Sequence, residues 1–280
     1  MNDDDMREIK LFSGTLRKDI VTMIQKAGSG HPGGSLSAAD AVAVLYKRHM
    51  HQDPRNPGME DRDRFVLSKG HCAPLLYAVL AELGYFPRNE LADFRKYGSI
   101  LQGHPDCRKT PGVEISTGSL GQGLSLAGGM ALGVRQKGLS SRVYCLMGDG
   151  EIEEGQIWEA AMAIPHYKLD NLCAMVDSNR LQIDGSVAEV LGVEPIAEKF
   201  KAFGWHTCEI DGHDYNRIDE AFREAEHTKG IPTLIVLNTV KGKGVSYMEN
   251  QVAYHHAKDL SPELLAQAIA ELDAQYGDAK

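Results

Sequence analysis

Asp149 and Asn179 are the side chains whose type and position best suit metal chemistry. Each follows an apolar run, at 143–147 and at 172–176, and glycines flank Asp149. If both runs are parallel strands joined by a helix, their carboxyl ends meet at the sheet edge where α/β proteins bind ligands. Carboxylate and amide oxygens suit Mg²⁺, which completes its shell with phosphate and water. The pair predicts a divalent metal and a phosphorylated cofactor, although Gly-Asp-Gly alone is also an ordinary turn.

The rest of the chain alternates between strands and helices. We expect a second helix that is capped by Ser35 or Ser37 and runs to about His49. Other helices are expected at 6–27, 73–83, 88–96, 194–202, 216–226 and 262–275, and strands at 64–68, 143–147, 172–176, 205–210 and 233–240. This alternation predicts an α/β fold with a parallel sheet and helices on both faces. No linker or repeat divides residues 1–280, which we interpret as a single domain.

Four histidines fall in glycine- or proline-bearing loops near the same predicted end of the sheet. They are His31, His71, His104 and His255. Loops held by a rigid scaffold often carry catalytic groups, yet each histidine taken alone is more often a solvated or structural residue. Zinc binding is a second explanation, but the four lack the spacings of common zinc sites. Glycines at 118, 121 and 123 also predict a helix start that a ligand can approach closely.

Composition limits the class of protein. The chain has a net charge of −9, with 42 % hydrophobic and 25 % charged residues, as globular domains do. It contains no basic run, so nucleic acid is not an expected partner. No apolar stretch approaches the ~20 residues of a membrane span, and the acidic N-terminus lacks the apolar segment of a signal peptide. We therefore predict a cytoplasmic protein without membrane contact.

Five segments follow one another in an order that resembles transketolase, a thiamine diphosphate enzyme. They are Lys-Ala-Gly-Ser-Gly-His-Pro-Gly at 26–33, Asp-Arg-Asp-Arg-Phe-Val-Leu-Ser-Lys-Gly-His at 61–71, Gly-His-Pro at 103–105, Thr-Gly-Ser-Leu-Gly-Gln-Gly at 117–123 and Gly-Asp-Gly-Glu-Ile-Glu-Glu-Gly at 148–155. The resemblance implies the diphosphate-gripping domain of the thiamine diphosphate-binding fold. It covers most of residues 20–185 and ends before any segment similar to the second domain of the family.

The resemblance implies a role for each matching residue. Asp149, Asn179 and the main-chain carbonyl of Leu181 match the metal ligands. His31 and His255 match histidines that handle substrate protons, and His71 and His104 match histidines near the cofactor diphosphate and thiazolium. Glu154 matches a glutamate that links two active sites across the dimer. The other matching positions contact the cofactor: Gly118, Ser119, Leu120, Gly148 and Gly150. A glycine commonly follows the late histidine in the family, whereas His256 stands here, so the choice between His255 and His256 stays open.

The resemblance also implies cofactors and a partner. Thiamine diphosphate would bind with Mg²⁺, for which Ca²⁺ or Mn²⁺ can substitute. The chain resembles the N-terminal subunit of a split transketolase, so a C-terminal subunit would supply the pyrimidine-binding domain, and a heterotetramer acting on sugar phosphates is expected. Ketol transfer from a ketose phosphate to an aldose phosphate would then require both chains. The alternatives are a 2-oxo acid dehydrogenase component, a subunit similar to deoxyxylulose phosphate synthase, or a cofactor-binding module without catalysis.

Overall fold

Five parallel strands form the centre of the computed structural model, which describes residues 1–277. Their order across the sheet is β2-β3-β4-β6-β5. The strands of the chain are β1 (Ser29–Gly30), β2 (Arg64–Leu67), β3 (Val143–Gly148), β4 (Leu172–Ser178), β5 (His206–Asp211), β6 (Thr233–Asn238) and β7 (Ala257–Lys258). The parallel neighbours β3 and β4 are in register from Val143 opposite Leu172 to Gly148 opposite Asp177. The predicted βαβ unit is therefore present.

Helices cover both faces of this sheet. They are α1 (Asp3–Ala27), α2 (Pro32–Ser37), α3 (Ala39–Val44), α4 (Ala73–Leu83), α5 (Gln122–Gln136), α6 (Gly155–His166), α7 (Val187–Val190), α8 (Ile196–Ala202), α9 (Tyr215–His227) and α10 (Pro262–Tyr276). Alternate residues of β3 enter different apolar clusters. Tyr144 and Leu146 pack with α1, α4 and α9, while Cys145 and Met147 pack with α5, α6 and α8. The prediction of an α/β fold with a parallel sheet between two helical layers is confirmed.

Local sequence explains where the longest helix begins and ends. The Asn2 side chain accepts a hydrogen bond from the Asp5 amide, and three aspartates occupy the first turn of α1, where negative charge is favourable. Gly28 ends the helix in a left-handed conformation with φ of 67°. This turn leads the chain directly into β1 and His31.

A second, two-stranded sheet was not predicted. Strands β1 and β7 pair antiparallel, with Ser29 opposite Lys258 and Gly30 opposite Ala257. The amide of Asp259 also donates a hydrogen bond to the Gly28 carbonyl. These contacts hold the loop that carries His255 against the loop that carries His31.

The expected cap of the second helix is wrong. This helix begins at Pro32, whose missing amide hydrogen suits the first helical position, and it is interrupted at Ala38 and ends in a π turn at Leu45–His49. Ser35 instead donates a hydrogen bond to the His31 carbonyl, at 2.7 Å, and Ser37 donates to Asp177. The helical piece expected near 88–96 is a 3₁₀ segment, Arg88–Asp93. Within residues 1–277, no helix has both the length and the apolar character needed to cross a membrane.

Candidate active site

A cleft with an empty volume of about 790 Å³ opens at the carboxyl ends of β3 and β4. It lies at the predicted edge of the sheet, and residues from six loops line it: His31, Gly34, Lys69, His71, Gly118, Leu120, Gly148, Asp149, Gly150, Glu151, Asn179, Leu181, Gln182, Ile183, Lys241 and His255.

Asp149 lies in one wall of the cleft, immediately after β3. It is 4 % exposed, and its two carboxylate oxygens accept hydrogen bonds from the backbone amides of Gly150 and Arg180. Burial and the nearby charge of Asp177 raise the pKa of Asp149 to about 6, against smaller opposing effects of the two amides and Lys241. A buried carboxylate paired only with backbone amides gains most from a cation.

Asn179 and Leu181 complete a set of oxygen donors beside Asp149. The Asn179 amide oxygen accepts a hydrogen bond from the Leu181 amide at 3.2 Å, which leaves one lone pair on that oxygen. The Leu181 carbonyl accepts a hydrogen bond from the Lys241 ammonium at 2.6 Å, so a positive charge already lies against it. One carboxylate, one amide oxygen and one main-chain carbonyl are hard ligands and fit Mg²⁺. In the described chain, no group of three or more His, Cys, Asp or Glu side chains is arranged to hold a metal ion.

Four histidine rings meet on the opposite wall of the cleft and form the histidine cluster. The ring of His31 lies 5.2 Å from that of His71, 5.5 Å from that of His255 and 4.6 Å from that of His256, measured between centroids. His71 and His255 stack at 5.4 Å. The structure therefore brings together three of the four predicted histidines and adds His256. His255 lines the cleft and contacts the Lys241 ammonium at 2.9 Å, whereas His256 packs against His31 and is not among the residues that line the cleft.

The surroundings of the cluster lower the pKa values of its histidines, which favours the uncharged imidazoles. Burial, followed by the effects of His256 and His255, lowers the pKa of His31 to about 3. Burial and Lys241 lower the pKa of His255 to about 4, and burial with Lys69 lowers the pKa of His71 well below its ordinary value. His31 Nδ1 is buried and has no hydrogen-bond partner within residues 1–277. A neutral imidazole nitrogen in this position can accept a hydrogen bond from a ligand hydroxyl.

Three of the predicted site residues lie outside the wall of the cleft. His104 is exposed and packs against Gly118, where a β-carbon would come within 2.9 Å of the His104 ring. Because Gly118 also has φ of 142°, glycine is required both by the backbone and by this contact. Ser119 and Glu154 are exposed, and Glu154 packs against Gly121 at the start of α5. Leu120 lines the cleft and is 36 % exposed at its mouth.

Three charged residues of the site were not predicted from the sequence. Lys69 and Asp177 form a buried ion pair under the cleft, and Lys241 joins Leu181 to His255. Burial lowers the pKa of Lys241 to about 8. A signal was available for two of them. Lys69 lies two residues before His71 in the same segment, and Asp177 is a charged residue at the end of an apolar run.

Comparisons with known proteins identify the family. A family model described as the thiamine diphosphate binding domain of transketolase matches residues 10–278. The chain belongs to this family. It is 48 % identical over 263 residues to a 6-deoxy-6-sulfo-D-fructose transketolase subunit of Clostridium sp. (strain MSTE9), covering 94 % of this chain and 95 % of that subunit. It is 44 % identical over 248 residues to an apulose-4-phosphate transketolase subunit of Phocaeicola vulgatus, covering 89 % and 88 % of the two chains.

Longer transketolases match over only part of their length. The chain is 42 % identical to human transketolase over 283 aligned positions, which cover 99 % of this chain and 44 % of the human protein. The solved structure of transketolase from Leishmania mexicana superimposes with a TM-score of 0.90 and 35 % identity, covering 97 % of this chain and 42 % of that one. The chain thus spans less than half the length of these transketolases and nearly the full length of the subunits.

Proposed function

We propose that this chain is the N-terminal subunit of a two-chain transketolase, which moves a two-carbon ketol unit from a ketose phosphate to an aldose phosphate. The observation that carries the proposal is the cleft at the ends of β3 and β4, where Asp149, Asn179 and the Leu181 carbonyl face the histidine cluster. The two relatives described as transketolase subunits, which match over most of their own length, support a partner chain.

Asp149, Asn179 and the Leu181 carbonyl would hold a divalent cation, with Mg²⁺ as the natural ion and Ca²⁺ or Mn²⁺ as substitutes. Gly148, Gly150 and Gly118 leave room beside the cleft for the cofactor, and His71 and Lys241 offer hydrogen-bond donors toward a diphosphate. When bound, thiamine diphosphate supplies the nucleophilic carbon and the electron sink for carbon–carbon bond cleavage.

The protein's own contribution is to orient the substrate and to move protons. Neutral His31 and His255 can each accept a proton at one ring nitrogen and donate from the other, as needed at the hydroxyl groups of a ketose. His31 Nδ1 is buried without a partner and is the nitrogen most in need of a substrate hydroxyl. His104 and Ser119 lie beside Gly118 outside the cleft wall, and we propose that they act once a partner covers this side.

A partner chain with a pyrimidine-binding domain would cover the mouth of the cleft. Exposed Leu120, Ile183 and Glu154 lie at or near this mouth and would meet it. We propose a heterotetramer in the cytoplasm that acts on ketoses carrying a terminal anionic group, the chemistry named for both subunit relatives. Residues 1–280 would form one diphosphate-gripping domain in that assembly.

Reconstitution tests the proposal. The chain is mixed with the product of the neighbouring open reading frame, with thiamine diphosphate and Mg²⁺ saturating, and supplied with a ketose phosphate and an aldose phosphate. We expect a new ketose two carbons longer than the aldose acceptor, an aldose two carbons shorter than the ketose donor, and no release of CO₂. Release of CO₂ from pyruvate would contradict the proposal in favour of another thiamine diphosphate activity. Cofactor binding without any ketol transfer would indicate a module without catalysis.

A further inference from the structure

Asp177 lies directly beneath the proposed metal ligands and is fully buried at the end of β4. Its carboxylate accepts hydrogen bonds from four side chains on different segments. Oδ2 accepts from Ser37 at 2.6 Å, from the Lys69 ammonium and from the Asn179 amide nitrogen at 2.9 Å, while Oδ1 accepts from Thr239. Because all four partners donate, the carboxylate acts only as an acceptor in this network.

An acceptor at this position determines how the Asn179 amide is oriented. The two ends of an asparagine amide have nearly the same shape but opposite hydrogen-bonding character. With the nitrogen facing Asp177, the oxygen faces the Leu181 amide, which donates to it at 3.2 Å. A half-turn of the amide would place oxygen against the Asp177 carboxylate and NH₂ against the Leu181 N–H, so both contacts would become repulsive together. Only one orientation presents an oxygen to a cation.

Lys69 keeps Asp177 in place for this task. The Lys69 side chain is 2 % exposed, and its ammonium donates to Asp177 and to the Gly34 carbonyl, the latter at 2.8 Å. Burial alone would lower the pKa of Lys69, but the charge of Asp177 raises it above its ordinary value. The pair is thus a fixed, charged unit between β2 and β4.

We propose that Asp177, held by Lys69, is a positioning residue that directs the amide oxygen of Asn179 toward the divalent cation. The inference rests on the proposed function, because it takes Asn179 as a metal ligand. It adds to that function the residue that makes Asn179 competent. Residues that orient metal ligands typically change metal affinity by roughly 10- to 100-fold when they are mutated.

The test compares two variants that each remove one interaction of the same carboxylate. In Asp177→Asn the new amide can turn its NH₂ toward Asn179, so that Asn179 loses its fixed orientation. We expect Mg²⁺ affinity of the full chain, measured by calorimetry with saturating thiamine diphosphate, to fall roughly 10- to 100-fold. Thr239→Val is the matched control, because it removes a donor to the other oxygen, Oδ1, and leaves the contact with Asn179 intact. Its Mg²⁺ affinity should stay close to that of the wild type.

Exchanging the two side chains separates the orientation of residue 179 from a general loss of structure. Asn179→Asp alone places two carboxylates against each other and should bind Mg²⁺ weakly. In the double variant Asp177→Asn with Asn179→Asp, the amide at 177 donates to the carboxylate at 179, which presents oxygen whichever way it turns. We expect the double variant to bind Mg²⁺ roughly 10-fold or more tightly than Asn179→Asp. This comparison remains available if Asp177→Asn alone does not fold.

The outcomes distinguish failure of the proposed function from failure of the positioning role of Asp177. If wild-type chain binds neither Mg²⁺ nor thiamine diphosphate, alone or with its partner, the proposed function fails together with this inference. If the wild type binds both and folded Asp177→Asn binds Mg²⁺ equally well, only the positioning role is overturned. The positioning role also fails if the double variant, folded as judged by circular dichroism, binds Mg²⁺ no better than Asn179→Asp.

Discussion

The two walls of the cleft are built in different ways. The metal corner, our name for the proposed ligands Asp149, Asn179 and the Leu181 carbonyl, follows two adjacent parallel strands of the central sheet. The histidine cluster instead gathers segments that are far apart in the chain, and the short pairing of β1 with β7 holds two of them together. A site built on a continuous sheet depends on local sequence, whereas a site built on a two-residue pairing depends on the whole fold.

The largest expected effect breaks the metal corner. Asp149→Ala removes its only carboxylate and leaves a divalent cation and two phosphates without a protein anion. Breaking a buried charge pair typically costs about 3–5 kcal/mol, so we expect affinity for thiamine diphosphate with Mg²⁺ to fall roughly 100-fold or more by calorimetry. Asp184→Ala, an exposed carboxylate in the loop after Leu181, is the control and should bind normally. Unchanged affinity in Asp149→Ala would exclude this residue as a metal ligand.

The next prediction sharpens the description of the histidine cluster. His255 lines the cleft and contacts Lys241, whereas His256 contacts His31 and does not line the cleft. We expect His255→Ala to lower kcat for ketol transfer roughly 100-fold, the scale of a lost acid–base group, and His256→Ala to lower it by less than about 10-fold. Steady-state rates of the reconstituted enzyme measure both. A larger loss in His256→Ala would reverse the assignment of the two residues.

The placement of Asp149 and Asn179 at neighbouring strand ends could be predicted from the sequence because its signals are local. An apolar run that ends in Gly148-Asp149-Gly150 marks the end of a strand, and a second run before Asn179 marks its neighbour. Parallel strands joined by a helix then require both ends to lie at the same edge. The observed register, with Gly148 opposite Asp177, agrees with this expectation. Five ordered segments that resemble one family added the expected cofactor.

The histidine cluster could be predicted only in part. Strands of two residues, such as Ser29–Gly30 and Ala257–Lys258, are too short to carry an alternating pattern, so nothing in the sequence announced their pairing. Without that pairing, the sequence could not show which of His255 and His256 lines the cleft. Ser35 and Ser37 were misread for a related reason. Serine before an apolar run is typical of a helix cap, but here Ser37 bonds to Asp177, a partner 140 positions away.

His31 in the histidine cluster and Asp149 in the metal corner should contribute to the pH dependence of stability with opposite signs. The pKa of His31 is lowered to about 3, so the unfolded chain binds more protons between that pH and the ordinary histidine range, and stability should rise with pH there. The pKa of Asp149 is raised to about 6, so the folded chain binds more protons below it, and this residue's contribution should fall as pH rises.

Variants of the cofactor-free chain test these opposite signs. Acidification from neutral pH to about 4 should lower the free energy of unfolding of the wild type more than that of His31→Asn. We expect a difference of about 1–2 kcal/mol, after allowance for the partial exposure of His31. Asp149→Asn should stabilise the chain at neutral pH, with little effect near pH 4. Urea unfolding at a series of pH values measures both free energies. Identical pH profiles for wild type and His31→Asn would contradict the lowered pKa of His31.

The smallest expected effect concerns the turn that delivers His31 to the cluster. Gly28 has φ of 67° and nothing within 4 Å of where a β-carbon would stand, so Gly28→Ala introduces backbone strain without a clash. An L-residue in the left-handed region costs about 1–2 kcal/mol, and we expect the free energy of unfolding to fall by that amount. Gly155→Ala, at an open helical position with ordinary backbone angles, is the control and should not be destabilised. Because the metal corner lies on other strands, affinity for thiamine diphosphate with Mg²⁺ should be unchanged in Gly28→Ala. A loss of that affinity would mean that the histidine cluster and the metal corner are energetically coupled.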